Sequence, residues 1–254
     1  MTIDAEAGSR RLARPIALLV VAALVGSLAL VSARVAMAGP RHSYLSVARS
    51  LELLRTSYGS IAERPIEEPR VVVAPTSAAT WARSDDVNIA NKAWNPRAGR
   101  TWTHGDARAM WPDGMGGFTD PVTGDVYINA ELAVESTMPH ELLHANAAPE
   151  FLQAVGVNLN EGFTENLALE AMTASGVAAE KVPAYGAYRA VAKVIAAITG
   201  RDLLLRAYFN GGTHLADFVA ALGADTLARV KAATSGPDTR QALAILATVP
   251  ASAS

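Results

Sequence analysis

Two histidines four residues apart constrain this 254-residue chain more than any other feature. They close the segment His140-Glu141-Leu142-Leu143-His144, an H-E-x-x-H pattern, and the whole chain holds only five histidines. The pattern has chemical meaning on a helix. Residues at i and i+4 share a helical face, so both imidazoles project to one side and can bind a single zinc ion. Glu141 between them can reach a water polarised by that metal. A catalytic zinc takes three protein ligands and leaves a fourth position open. The third must come from another element, and Asn160-Glu161-Gly162-Phe163-Thr164-Glu165 offers it. Glu161 lies seventeen residues after His144. That is room for a helix end, a connection and an antiparallel return, so Glu161 can face the histidines across a helix pair. Glu165 follows one turn later on the same face. Histidine ligands usually donate their second ring nitrogen to a carboxylate or carbonyl, and Glu165 suits that role towards His140.

The two motifs together resemble the gluzincin clan of zinc metallopeptidases, which includes the thermolysin, aminopeptidase N and minigluzincin types. The resemblance spans residues 126–169. It implies zinc bound by His140, His144 and Glu161, with Glu141 as the general base and Glu165 bonded to a histidine ligand. Asn160 to Phe163 is similar to the N-E-G-F of aminopeptidase N-type members. The gap from His144 to Glu161 is slightly shorter than in the large families, and no G-x-M-E-N motif for holding a substrate amine is present. The resemblance therefore implies an endopeptidase rather than an aminopeptidase. It also implies an oxyanion donor from a later helix, for which Tyr185, Tyr188, Tyr208 and His214 are the candidates, with His214 and Tyr188 preferred. In the clan a strand just upstream of the motif helix pairs with the substrate backbone, which here points to Asp125–Asn129.

The N-terminus carries a targeting pattern. Arg10, Arg11 and Arg14 precede an uncharged run from Pro15 to Ala33. As a helix that run is about 28 Å long, close to the bilayer core. The arginines are expected to stay in the cytoplasm, leaving the rest of the chain outside. The run is either a retained single-pass anchor in the cell membrane or a signal peptide cut after Ala36-Met37-Ala38, which would release a secreted protein. The expected organisation is a cytoplasmic segment 1–14, an anchor or signal 15–38, a helical linker or pro-region 39–70, and a metallopeptidase-like domain 71–254. Cysteine is absent, which excludes disulfides and thiolate metal sites. A net charge of -2 provides no footprint for nucleic acid.

Periodicity predicts a helix over residues 42–62 and a strand at Val71–Ala74. Residues 76–117 read as a long irregular loop holding all four tryptophans, Trp81, Trp94, Trp102 and Trp111, and one wall of a cleft is a second reading of it. Phe118–Asn129 reads as a hairpin turning at Pro121–Gly124. Ser136 or Thr137 caps the motif helix, which Pro149 ends, and a second helix runs from about Glu161 to Thr173. Glycines then punctuate helices at 184–199, 201–209, 213–222, 224–233 and 238–247. The expected fold is α+β and predominantly helical, with a small antiparallel sheet beside a zincin-type helix pair and a hydrophobic N-terminal helix. The expected function is zinc-dependent hydrolysis of peptide or protein substrates outside the cytoplasm. A non-catalytic domain binding zinc or a partner, and a hydrolase of a non-peptide amide, are the alternatives.

Overall fold

The structure is a computed structural model that describes residues 44–95, 98–179, 185–236 and 238–249. The arginine cluster, the uncharged run and the cleavage position at Ala38 lie outside the described residues. Among the described residues, no helix is long and apolar enough to cross a membrane.

The fold is mostly helical with a small sheet. Its first helix, α1 (Val47–Tyr58), starts at Ser46, whose hydroxyl accepts from Arg49 N–H as an N-cap. Leu51, Leu54 and Tyr58 of α1, with Ile66 beyond it, join the same core as the later helices. Tyr58 donates to the Leu167 carbonyl at 2.7 Å. The segment expected as a linker or pro-region thus supplies part of the domain's core.

Strand β1 (Val71–Ala74) leads into helix α2 (Ser77–Ala90), then a two-residue hairpin of β2 (Trp94–Asn95) and β3 (Arg100–Thr101), and a short helix α3 (Asp106–Met110). Residues 76–117, expected as irregular, therefore contain a full helix. Helix α2 escapes hydrophobic periodicity because its buried face is Thr80, Ser84, Asp85 and Val87, three of them polar. The polarity has a purpose in the packing. The buried Asp85 carboxylate accepts from Trp102 Nε1–H at 2.7 Å, from Gly105 N–H at 2.6 Å and from Ala107 N–H at 2.8 Å. It thereby folds the tryptophan-bearing segment back onto α2.

The three-stranded sheet has the order β1-β5-β4, with β4 (Gly117–Thr119) antiparallel and β1 parallel to β5 (Val126–Asn129). The expected antiparallel sheet is therefore mixed, because α2 carries the chain over as a crossover between β1 and the hairpin. The expectation for Asp125–Asn129 is also corrected. Strand β5 is central, with both edges paired and all four residues buried, so it is not a free edge. Among the described residues, the free edge on the hairpin side is β4.

Helix α4 (Thr137–Asn146) packs on one face of the sheet, where Val126 and Ile128 are fully buried. Pro149 does not simply end it. The chain extends at Ala147, and Pro149 opens a further short helix, α5 (Pro149–Val155), at a position where its missing N–H costs nothing. Helix α6 (Val157–Ala174) begins a turn earlier than expected, so Glu161 sits inside the helix rather than at its start. Helices α7 (Gly186–Thr199), α8 (Arg201–Asn210), α9 (Gly212–Leu222), α10 (Ala224–Ala233) and α11 (Arg240–Leu246) follow close to the expected bounds. Gly200 and Gly223, at φ 87° and 86°, end one helix and begin the next in a conformation that L side chains resist. Phe151, Phe163, Tyr208 and Phe218 interlock edge-to-face at the centre of this helical half.

Candidate metal centre

Helices α4 and α6 bring three ligand atoms to one point. His140 Nε2 lies 3.0 Å from His144 Nε2 and 3.1 Å from Glu161 Oε2, and His144 Nε2 lies 3.3 Å from Glu161 Oε1. Zinc–ligand bonds of ~2.0–2.2 Å at tetrahedral angles separate ligand atoms by about 3.3 Å. These three residues can therefore hold a metal ion. The helical spacing sets the two histidines, and their rings stand at 73° to each other. The α4–α6 pairing sets the glutamate. The His144 and Glu161 side chains retain 13% and 24% exposure against 4% for His140, so the cluster opens to solvent on their side.

Behind the ligands, each imidazole is held through Nδ1. His140 Nδ1 meets the Glu165 carboxylate at 3.0 Å, with the Glu165 side chain only 1% exposed. A proton on Nδ1 shared with that carboxylate leaves the Nε2 lone pair facing the cluster. His144 Nδ1 faces the Asn160 amide at 3.1 Å and Thr164 Oγ1 at 3.4 Å, and Thr164 in turn meets the buried Tyr208 hydroxyl at 2.8 Å. Asn160 Oδ1 is buried with no partner among the described residues. With the amide turned over, that oxygen accepts from His144 Nδ1–H and bares Nε2 for a cation. The orphaned acceptor thus suits a metal on His144.

The electrostatics lean the same way. Three carboxylates, Glu141, Glu161 and Glu165, surround two imidazoles, an arrangement that calls for positive charge. Burial pulls the His140 pKa down, yet hydrogen bonds to Glu161 and Glu165 push it well above its ordinary value. Burial acts to raise Glu161, but His144 and His140 hold it far below the usual carboxylate range. Glu141 is raised, chiefly by its own burial, with the imidazoles opposing.

Glu141 points from α4 towards β4. Thr119 Oγ1 lies 2.9 Å from Glu141 Oε2 and 3.0 Å from the Glu141 carbonyl. A Cβ at Gly117 would stand 3.0 Å from Glu141 Cγ and 2.8 Å from the Tyr127 carbonyl, so glycine keeps room beside the carboxylate. Sequence reasoning missed both residues. Thr119 lay in the expected hairpin and Gly117 in the segment expected as irregular, and nothing local says that β4 lies against α4.

Of the four candidate donors, Tyr185 alone reaches the ligands. Its ring stacks on His140, with centroids 5.2 Å apart and planes 10° from parallel, and the Glu161 charge together with burial pushes the phenol pKa well above its ordinary value. The preferred candidates lie elsewhere. Tyr188 donates to the Gly236 carbonyl at 3.1 Å, and His214 pairs with Glu63 at 2.8 Å. Tyr208 is sealed in the core behind Thr164. The i, i+3 spacing puts Tyr185 and Tyr188 at neighbouring positions, and only the docking of α7 decides which one meets the site.

Comparison with known proteins finds no matching family model, curated protein or solved structure.

Proposed function

We propose that this chain is a zinc-dependent metallopeptidase acting on peptide or protein substrates, with an endopeptidase specificity. The observation that carries the reading is the convergence of His140, His144 and Glu161 within 3.0–3.3 Å of one another, with the Glu141 carboxylate directed to an adjoining strand edge. The donor set of two imidazoles and a carboxylate suits zinc, which when bound supplies Lewis acidity to a carbonyl and lowers the pKa of water. Glu141 accepts the water proton and passes it to the leaving amine. Thr119 steadies the Glu141 carboxylate in that position. Burial raises the Glu141 pKa and so makes it a stronger base than a solvated glutamate.

Strand β4 takes the role first expected of β5. Its Phe118 forms the hydrogen-bonded pair with Tyr127, as the flanking Asn129-to-Gly116 and Asp120-to-Asp125 bonds require. The backbone groups of Gly117 and Thr119 therefore face the outer edge, which no strand covers among the described residues. An extended peptide added there would lie beside Glu141 and the ligands. This placement favours a peptide over another amide substrate. The intact general base favours turnover over passive binding. The arginine cluster and the uncharged N-terminal run support a catalytic domain outside the cytoplasm, tethered to the membrane or released by cleavage near Ala38.

The test is to purify the full chain, measure bound metal, and incubate it with a mixed peptide library beside E141Q. Stoichiometric zinc with Glu141-dependent cleavage is the expected result. Zinc without turnover means a binding domain, and release of amides from cell-wall fragments without peptide cleavage means a different acyl substrate.

A further inference from the structure

Helix α7 crosses α6 against the residue next to a ligand. A Cβ on Gly162 would lie 2.5 Å from the Tyr188 carbonyl carbon and 2.6 Å from its oxygen, so the two backbones touch there and only glycine fits. One turn along α6, Asn166 fastens the same crossing. Its amide donates to the Arg189 carbonyl at 3.0 Å and accepts from Arg189 Nε–H at 3.2 Å. Tyr185 is the N-cap of α7, one turn before the Gly162 contact. The crossing therefore fixes where the phenol ring can stand, stacked on His140.

We infer that Tyr185 is a positioning residue for the metal ligands, its ring backing the His140 imidazole, and that Gly162 is the residue that lets α7 deliver it. The inference rests on the metal-centre reading above. It differs from the oxyanion role expected of a tyrosine here. The role belongs to the ring. Stacked on the imidazole, it stops His140 from tipping out of the ligand plane. The same contact accounts for a glycine directly after the third ligand, since any side chain there would push α7 and its tyrosine off the site.

The experiment uses the full chain and reads metal binding rather than turnover. Zinc affinity is measured by competition with a chromophoric chelator, and ligand geometry by the visible absorption of the cobalt-loaded protein, for wild type, Y185F, Y185L and G162A. Y185F, which keeps the ring, is expected to retain zinc affinity and the cobalt spectrum. Y185L, which loses the ring, is expected to weaken zinc binding about tenfold and to change the spectrum, the range seen when partners of ligands are removed. G162A should resemble Y185L, and the two combined should cost less than their sum. A Y185L zinc affinity and cobalt spectrum within twofold of wild type, or equal losses in Y185F and Y185L, overturn the inference, whatever happens to catalysis. If G162A does not fold, the two Tyr185 variants decide the matter alone. Wild-type protein that binds neither zinc nor cobalt overturns the metal-centre reading itself, a result distinct from the first.

Discussion

The Thr119 hydroxyl, on the last residue of strand β4, stands 2.9 Å from the carboxylate of Glu141 on helix α4. One contact thus joins the sheet edge to the residue proposed as general base. Replacing Thr119 by valine keeps the shape and removes the hydroxyl. T119V is expected to lower kcat by roughly tenfold to a hundredfold, the scale of a small misplacement of a reacting group. KM should change little and T119S should retain most activity. Steady-state kinetics on one fluorogenic peptide check this, and equal losses in T119V and T119S would argue for packing instead.

Glu165 holds His140 through Nδ1 from a fully enclosed position. E165Q keeps the volume and removes the charge. Zinc affinity is expected to fall by about tenfold to a hundredfold, measured by competition titration. Since a buried, uncompensated imidazole partner also costs folding energy, the chelated protein should melt lower than chelated wild type.

Asp85 is the hub of the tryptophan-bearing segment. D85A removes the acceptor for three N–H donors, two of them buried with it. A loss of about 3 kcal/mol is expected, because each stranded donor costs ~1–3 kcal/mol. Urea denaturation measures the loss. Tryptophan emission should shift to the red before global unfolding, as Trp102 is only 7% exposed in the native fold.

Asp120 carries a pH prediction. Burial works to raise its pKa, but hydrogen bonds from the Val122 amide, from Asn91 and from Thr123 outweigh this and hold the carboxyl below its ordinary value. A depressed folded pKa contributes stability that is present above the unfolded value of ~3.9 and lost as pH falls through the folded one. The stability gap between wild type and D120N is therefore expected at pH 7 and should close below about pH 4. Urea midpoints measured across that range check the sign, and a gap that widens in acid contradicts it.

The helix pair of the candidate site was legible in the chain because its information is local. A spacing of four on one helix sets the face shared by His140 and His144, and the same spacing links Glu161 to Glu165, whatever surrounds them. Glycine punctuation likewise marked the C-terminal helices, since a positive φ at Gly200 or Gly223 is a property of one residue. Helix α2 was illegible because its buried stripe is polar, and Asp85 finds its donors some twenty residues away. Strand order was illegible because pairing is non-local. Nothing in Val126–Asn129 says that β1 arrives parallel on its far side and leaves β4 as the edge.

The amino-acid sequence by itself determined which side chains could share a cation, because helical periodicity is a short-range rule. Only the tertiary structure decided what surrounds them. It chose Tyr185 over Tyr188 and His214, set Thr119 on Glu141, and put β4 rather than β5 beside the cluster. Those choices depend on how closely two backbones can approach, at Gly162 and Tyr188 for one, and packing distances between separate elements leave no periodic trace in the chain.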